Sequence, residues 1–156
     1  MKIKIGYGID GHELINGCAL VLGGVLIPFE RGLKGHSDAD ALTHAVIDAV
    51  LGAAGLGDIG LFFPNTDSRF KDANSLELLK ETRKLIISYE ISNIDAIIIA
   101  DAPPLSPFYN QMRANIANAL NINIADVNVK SKTEEGINAT RGMGIKAYAA
   151  AALYKI

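Results

Sequence analysis

SDADALTHAVIDAVLGAAG, residues 37–55, can be little other than a helix. Ser37 suits an N-cap, Asp40 falls at N3 where a carboxylate meets the positive end of the helix dipole, and Gly55 supplies a stop. Leu42, Ala45, Val46, Ala49, Val50 and Ala53 then form an apolar stripe, while Asp40, His44, Ile47, Asp48 and Leu51 share the opposite side. That second side mixes ionisable groups with large aliphatics, the pattern of a helix that lines a site or meets another subunit.

The segments around this helix alternate in type. Residues 2–10 read as a strand, and ALVLGGVLI, residues 19–27, as another broken by Gly23-Gly24; PFERGLKGH reads as a loop. Beyond the loop GLGDIGLFFPNTDSRF, residues 75–89 have helical spacing, ISNIDAIIIADA reads as a buried strand, and SPFYNQMRANIANAL as a helix opened by Ser106-Pro107. DVNVKSKT alternates as a strand. The closing GIKAYAAAALYKI fits both periods: its alanines favour helix, yet Ile145, Ala147, Ala149, Ala151 and Leu153 alternate. The order predicts an α/β fold, an α+β sandwich of one mixed sheet with about three helices.

Composition narrows the function classes. With 156 residues, 49% hydrophobic and 21% charged, residues 1–156 are expected to form a single domain with its own core. A net charge of −2 with dispersed lysines gives no broad basic face, so neither a nucleic-acid nor a membrane partner is expected. The lone Cys18 excludes an internal disulfide and a cysteine-rich zinc cluster, and reads as a small buried filler in a reducing compartment. No apolar run approaches the roughly 18 residues a bilayer span needs, and the opening MKIKIGYG has no leader character, so the expected location is the cytoplasm.

GYGIDGHEL, residues 6–14, carries the first chemical signal. In an extended chain Asp10 and His12 point to one face with Gly11 between them, at the end of the predicted strand. The three histidines, His12, His36 and His44, all lie in the first third of the chain. Each alone could be a core histidine satisfied by a carbonyl. Together, Asp10, His12 and His44 make a carboxylate and imidazole set that suits Zn²⁺ and leaves a fourth position open, as a catalytic metal requires for work on a phosphoryl group or a water. By spacing alone the match is common, and both readings stand.

Four blocks carry a more specific likeness. GIDGH, then GHSDADALTHAVIDAVLGAAGLGDIGLFFPNTD, then ADAPPLSP, then NVKSKTEEG, in this order along the whole chain, resemble the 2-C-methyl-D-erythritol 2,4-cyclodiphosphate synthases of the non-mevalonate isoprenoid pathway. The resemblance implies a lyase that cyclises 4-diphosphocytidyl-2-C-methyl-D-erythritol 2-phosphate: the 2-phosphate attacks the β-phosphorus and CMP is expelled. It also implies a homotrimer with active sites between subunits, and a strand for the closing segment.

Carried over residue by residue, the resemblance makes Asp10, His12 and His44 the ligands of one Zn²⁺ per site, with Asp10 and His12 also facing substrate. His36 and Ser37 would contact substrate phosphate, His36 as a donor to charge developing on phosphoryl oxygen. Asp58, Ile59 and Gly60, with Phe63, Pro64, Asn65, Thr66 and Asp67, would hold the methylerythritol hydroxyls. Ala100, Asp101, Ala102, Pro103, Pro104, Leu105 and Ser106 would form the cytidine loop; by residue type alone they are an X-Pro-Pro turn. Lys132, Thr133, Glu134 and Glu135 would clamp the phosphates, with Thr133 a catalytic hydroxyl donor and Glu135 the ligand of a Mg²⁺ or Mn²⁺ bridging the α and β phosphates, and Arg141 would follow them. By residue type alone KSKTEE is a solvated charged turn.

The chain departs from the family pattern at Pro104, where relatives often carry a basic residue, at GINAT, which is one residue short before Arg141, and at Met143, which replaces a frequent acid. Two other readings use the same metal set: a zinc phosphoesterase that hydrolyses a phosphate ester, and a non-catalytic trimeric metal-binding module.

Overall fold

The computed structural model describes residues 2–137 and 140–156. Two residues of GINAT, 138 and 139, lie outside the described residues. Five strands make one mixed sheet in the order β4-β1-β7-β5-β6, with β1 Ile3–Asn16, β4 Arg31–Leu33, β5 Tyr89–Ile99, β6 Val127–Lys132 and β7 Gly144–Lys155. Only β5 and β6 pair in parallel. A separate hairpin joins β2 Leu20–Leu22 to β3 Val25–Ile27, and Gly23 and Gly24 at its turn take the positive φ that glycine tolerates.

Among the described residues the four α-helices are α1 Ala41–Ala54, α2 Ile59–Phe62, α3 Ser75–Leu85 and α4 Tyr109–Leu120. Three match the sequence expectation, and the additional one is the single turn α2 inside the GLGDIGLFF stretch, too short to show a period. None is long and apolar enough to cross a membrane.

β1 runs six residues beyond its expected end, so Asp10 and His12 stand inside a strand, opposite Ala147 and Ile145 of β7, rather than at a strand end. Its even positions face α1 and its odd positions face outward: Ile3, Ile5, Tyr7 and Ile9 are 60–75% exposed. The helix comes unusually close. A Cβ on Gly6 would stand 2.1 Å from the Ala49 carbonyl oxygen, and one on Gly8 only 1.8 Å from that of Ala45. Because Ala45 lies over Gly8 and Ala49 and Ala53 over Gly6, α1 runs against the direction of β1 and its first turn ends beside Asp10 and His12.

Several expectations need correction. The N-cap of α1 is Asp40, not Ser37: its carboxylate accepts from the Thr43 N–H and hydroxyl at 2.9 and 2.8 Å. It also accepts from the Gly23 and Gly24 N–H groups at 2.9 and 2.7 Å, which fastens the hairpin to the helix. Asp40 is fully buried, and burial pushes its carboxyl up against the pull of these donors. The large aliphatics on the mixed side of α1, Ile47 and Leu51, are wholly buried within this chain and offer no surface to a second subunit; α1 packs against α2, α3 and the hairpin as well as the sheet. PFERGLKGH contains β4, whose three residues are too few to alternate legibly. Residues 86–89 leave the helix because Tyr89 pairs with Lys155 of β7, and ladder bonds outweigh helical spacing there. Cys18 is half-buried in the turn after β1, not in the core. The closing segment is a strand, with Ile145, Ala147, Ala149, Ala151 and Leu153 on its buried face.

Candidate metal centre and active-site cleft

The alternation of β1 and the first turn of α1 bring Asp10, His12 and His44 together, their nearest ligand atoms all within 4.8 Å of one another. Asp10 Oδ2 lies 2.8 Å from His12 Nε2 and 2.9 Å from His44 Nδ1. The outer nitrogens are committed elsewhere. His12 Nδ1 is 2.9 Å from the Lys34 carbonyl oxygen, which can only accept, so Nδ1 carries the proton. His44 Nε2 lies 2.8 Å from Ser75 Oγ and 3.2 Å from Ser37 Oγ.

This donor set fits a metal ion. With protons on the outer nitrogens, two neutral imidazoles aim lone pairs at the oxygen of a carboxylate, and three acceptors converging on one point are satisfied by a cation. Protons can fill the role instead. Burial would raise the Asp10 carboxyl, but the His12 and His44 hydrogen bonds outweigh it and hold the group down to about 2. Burial would likewise lower His12, and Asp10 overrides it so that the imidazole is raised above its ordinary 6.5.

A cleft of about 260 Å³ opens beside this cluster. Of the residues expected there, Asp10, His12, His36, Ser37, His44, Ile59, Gly60, Phe63, Pro64 and Asn65 line it. His36 Nε2 is buried beside it and meets no hydrogen-bond partner among the described residues. Asp58 instead caps α2, accepting from the Leu61 N–H at 3.2 Å. Asp67 caps the short 3₁₀ turn Ser68–Phe70 and pairs with Arg69 at 2.6 Å, which lowers its carboxyl. Thr66, between them, is exposed and does not line the cleft.

The remaining candidates gather elsewhere, at the carboxyl ends of the parallel pair β5 and β6. The Ala100 N–H donates to the Lys132 carbonyl at 3.0 Å and the Glu134 N–H to Asp101 Oδ1 at 2.8 Å, so the expected cytidine loop and phosphate clamp are stitched together. Ala100 and Leu105 are core residues, while Asp101, Ala102, Pro104 and Ser106 are exposed and Pro103 follows a cis peptide. Thr133 Oγ1 donates to Glu135 Oε1 at 2.6 Å at the surface. Glu134 is buried and its carboxylate accepts from the Thr140 N–H and hydroxyl at 2.7 and 2.8 Å. None of these residues lines the metal-side cleft.

Sequence reasoning overlooked five participants. Phe70 and Leu78 complete the cleft wall. Asp48 accepts from the Ile59 N–H at 2.7 Å and so ties α2 to α1, and its burial raises its carboxyl. Ser75, with Asp38 behind it, holds the far side of His44. Asp48 was legible as an acid on the His44 side of the helix; the Ser75 contact joins residues 31 positions apart, with no periodic signal to reveal it.

A mixed sheet with helices packed against it, and a two-histidine, one-carboxylate cluster that could hold a metal ion beside a cleft, define an α/β protein with a candidate metal centre. The sequence profile of the YgbB family matches residues 3–154, and the chain belongs to that family. It is 54% identical over 156 residues to the 2-C-methyl-D-erythritol 2,4-cyclodiphosphate synthase of Alkaliphilus oremlandii, covering 98% of this chain and 99% of that one. Among solved structures it matches the bifunctional IspDF from Campylobacter jejuni with a TM-score of 0.94 and 42% identity, over 99% of this chain; the match spans 43% of the bifunctional chain. A 2C-methyl-D-erythritol-2,4-cyclodiphosphate synthase in a CDP-bound form matches with a TM-score of 0.88 and 35% identity, over 97% of this chain and all of that one.

Proposed function

We propose that this chain, as one synthase domain over residues 1–156, converts 4-diphosphocytidyl-2-C-methyl-D-erythritol 2-phosphate to 2-C-methyl-D-erythritol 2,4-cyclodiphosphate and CMP. The observation that carries this reading is the convergence of Asp10, His12 and His44 beside a cleft also lined by His36 and Ser37, in a chain of this family. The reaction joins a 2-phosphate oxygen to the β-phosphorus and breaks the bond from that phosphorus to the oxygen bridging it to the α-phosphate. The electron pair leaves with CMP, and no water is consumed.

Zn²⁺ bound by Asp10, His12 and His44 would supply a Lewis acid for a phosphoryl oxygen. The protein's own groups do the rest. His36, whose buried Nε2 meets no partner among the described residues, donates to phosphate oxygen, and the Ser37 hydroxyl stands beside it at the cleft. Ile59, Gly60, Phe63, Pro64 and Asn65 form the wall for the methylerythritol, with Asp58, Thr66 and Asp67 shaping the loop that carries them. At the ends of β5 and β6, residues 100–106 present backbone groups to cytosine. Thr133 donates to the phosphate that gains charge, flanked by Lys132, Glu134 and Arg141. Glu135 would hold Mg²⁺ or Mn²⁺ together with substrate oxygens.

The reading includes a homotrimer. The metal-side residues and the nucleotide-side residues occupy different parts of one chain, so a shared site between neighbours would unite them. The outward row Ile3, Ile5, Tyr7 and Ile9 on β1 is an apolar face of the kind that oligomers cover. We place the enzyme in the cytoplasm, where the free Cys18 thiol is stable.

Mass spectrometry of the product from the diphosphocytidyl substrate, with Zn²⁺ and Mg²⁺ present, tests the reading. The expected result is a cyclic diphosphate and one CMP per turnover. A linear product or inorganic phosphate would overturn it in favour of hydrolysis.

A further inference from the structure

Ser75 is fully buried at the first position of α3, yet its hydroxyl is not needed to start that helix, because Asn74 is the N-cap and accepts from the Leu76 N–H at 2.9 Å. The hydroxyl is held by Asp38 instead. Asp38 Oδ2 accepts from the Ser75 N–H at 2.9 Å, and Asp38 Oδ1 accepts from the Ser75 hydroxyl. Backbone bonds reinforce the clamp: the Asp38 N–H donates to the Ala73 carbonyl at 3.2 Å, and the Asp72 N–H to the His36 carbonyl at 2.9 Å.

We infer that Ser75, oriented by Asp38, is a positioning residue that holds the His44 ring with its proton on Nε2 and its lone pair on Nδ1, ready for the metal. This rests on the reading of Asp10, His12 and His44 as a metal site. The argument is one of proton inventory. A hydroxyl has a single proton and a carboxylate has none, so the Ser75 proton goes to Asp38 and the Ser75 lone pairs are left to accept. The group they face, 2.8 Å away, is His44 Nε2, which must then be the donor. Nδ1, 2.9 Å from Asp10 Oδ2, is thereby the nitrogen with the free lone pair. His12 receives the mirror-image treatment from the Lys34 carbonyl, which fixes its Nδ1 as donor and leaves Nε2 for the ion. Such outer partners set ring orientation and ligand basicity, and removing one weakens metal affinity by about 10 to 100 fold.

The test measures zinc affinity by chelator competition on the intact protein, with metal-free circular dichroism as a check of folding. Ser75→Ala should bind zinc about 10 to 100 fold more weakly than the parent. Ser75→Thr and Ser75→Val add the same bulk at this packed position and differ in the hydroxyl alone, so Thr should bind zinc tighter than Val by a similar factor. A purely structural role for Ser75 would not separate that pair. Equal zinc affinity in parent and Ser75→Ala, or in Thr and Val variants, would overturn the inference while leaving the metal site standing. A parent protein that binds no zinc would overturn the metal reading, and the inference with it.

Discussion

Gly8 of β1 lies so close beneath Ala45 of α1 that a Cβ on the glycine would stand 1.8 Å from the Ala45 carbonyl oxygen and 2.7 Å from the Ala49 nitrogen. The obstacle is helix backbone, which cannot swing aside as a side chain can. Gly8→Ala should therefore push α1 off the sheet and cost about 3 kcal/mol or more of stability. Because His44 precedes Ala45 and Asp10 follows Gly8 by two positions, zinc affinity should fall as well. Denaturant unfolding and zinc titration of the variant check both. A variant as stable as the parent would show that the seam yields.

The metal-free cluster should make stability depend on pH in a defined sense. The Asp10 carboxyl is depressed from 3.8 to about 2, so its contribution is present above pH 3.8 and is lost as pH falls through about 2. His12 is raised above 6.5, so its contribution is present below 6.5 and is lost as pH rises through the folded value. Zinc needs neutral imidazoles and acts in the opposite sense. Melting curves with EDTA and with zinc, from about pH 6 to pH 8, should therefore diverge, with the gap in Tm widening as pH rises. A constant gap would refute the cluster as the metal site.

Glu135→Gln keeps one acceptor oxygen and removes the charge, while leaving Asp10, His12 and His44 in place. Its side chain is at the surface, bonded to Thr133, so folding should not change. CMP release should slow by about 10 to 1,000 fold, roughly 1.4 to 4 kcal/mol of barrier. The Mg²⁺ or Mn²⁺ concentration for half-maximal rate should rise, with zinc content unaltered. Parent-like rate and divalent-ion dependence would reduce Glu135 to a solvated charge.

Two substitutions separate assembly from folding. Tyr7 is 75% exposed on the outward face of β1, so Tyr7→Asp should leave each chain folded and shift a trimer toward monomer in sedimentation. Leu51 is wholly buried under the helices, so Leu51→Asp should unfold the chain by about 3 kcal/mol or more, through an unpaired buried charge. A Tyr7→Asp protein with undiminished trimer would exclude this face as the interface.

The candidate metal cluster was legible in the sequence. Period-two alternation put Asp10 and His12 on one face, helical period put His44 inside α1, and both follow from local backbone geometry. Which of those faces met which did not. The mixed side of α1 reads as an outward surface because sequence period reports polarity and not what covers it, and here the chain itself buries Ile47 and Leu51 completely.

Residue order and type therefore determined the central parts of β1, β5 and β6, the hairpin strands, the long helix and the residues of the candidate metal cluster, since propensity and period act over a few residues. The tertiary structure decided the rest. It chose Asp40 over Ser37 as the cap, because the hairpin N–H groups of Gly23 and Gly24 converge on the same carboxylate. It set the hydrogen-bonding pattern around Asp10, His12 and His44 through Lys34, Ser75 and Asp38, contacts between segments distant in sequence whose energies depend on distances of about 3 Å. No pattern along the chain encodes such distances; they arise when glycines on β1 let a helix backbone settle against a sheet.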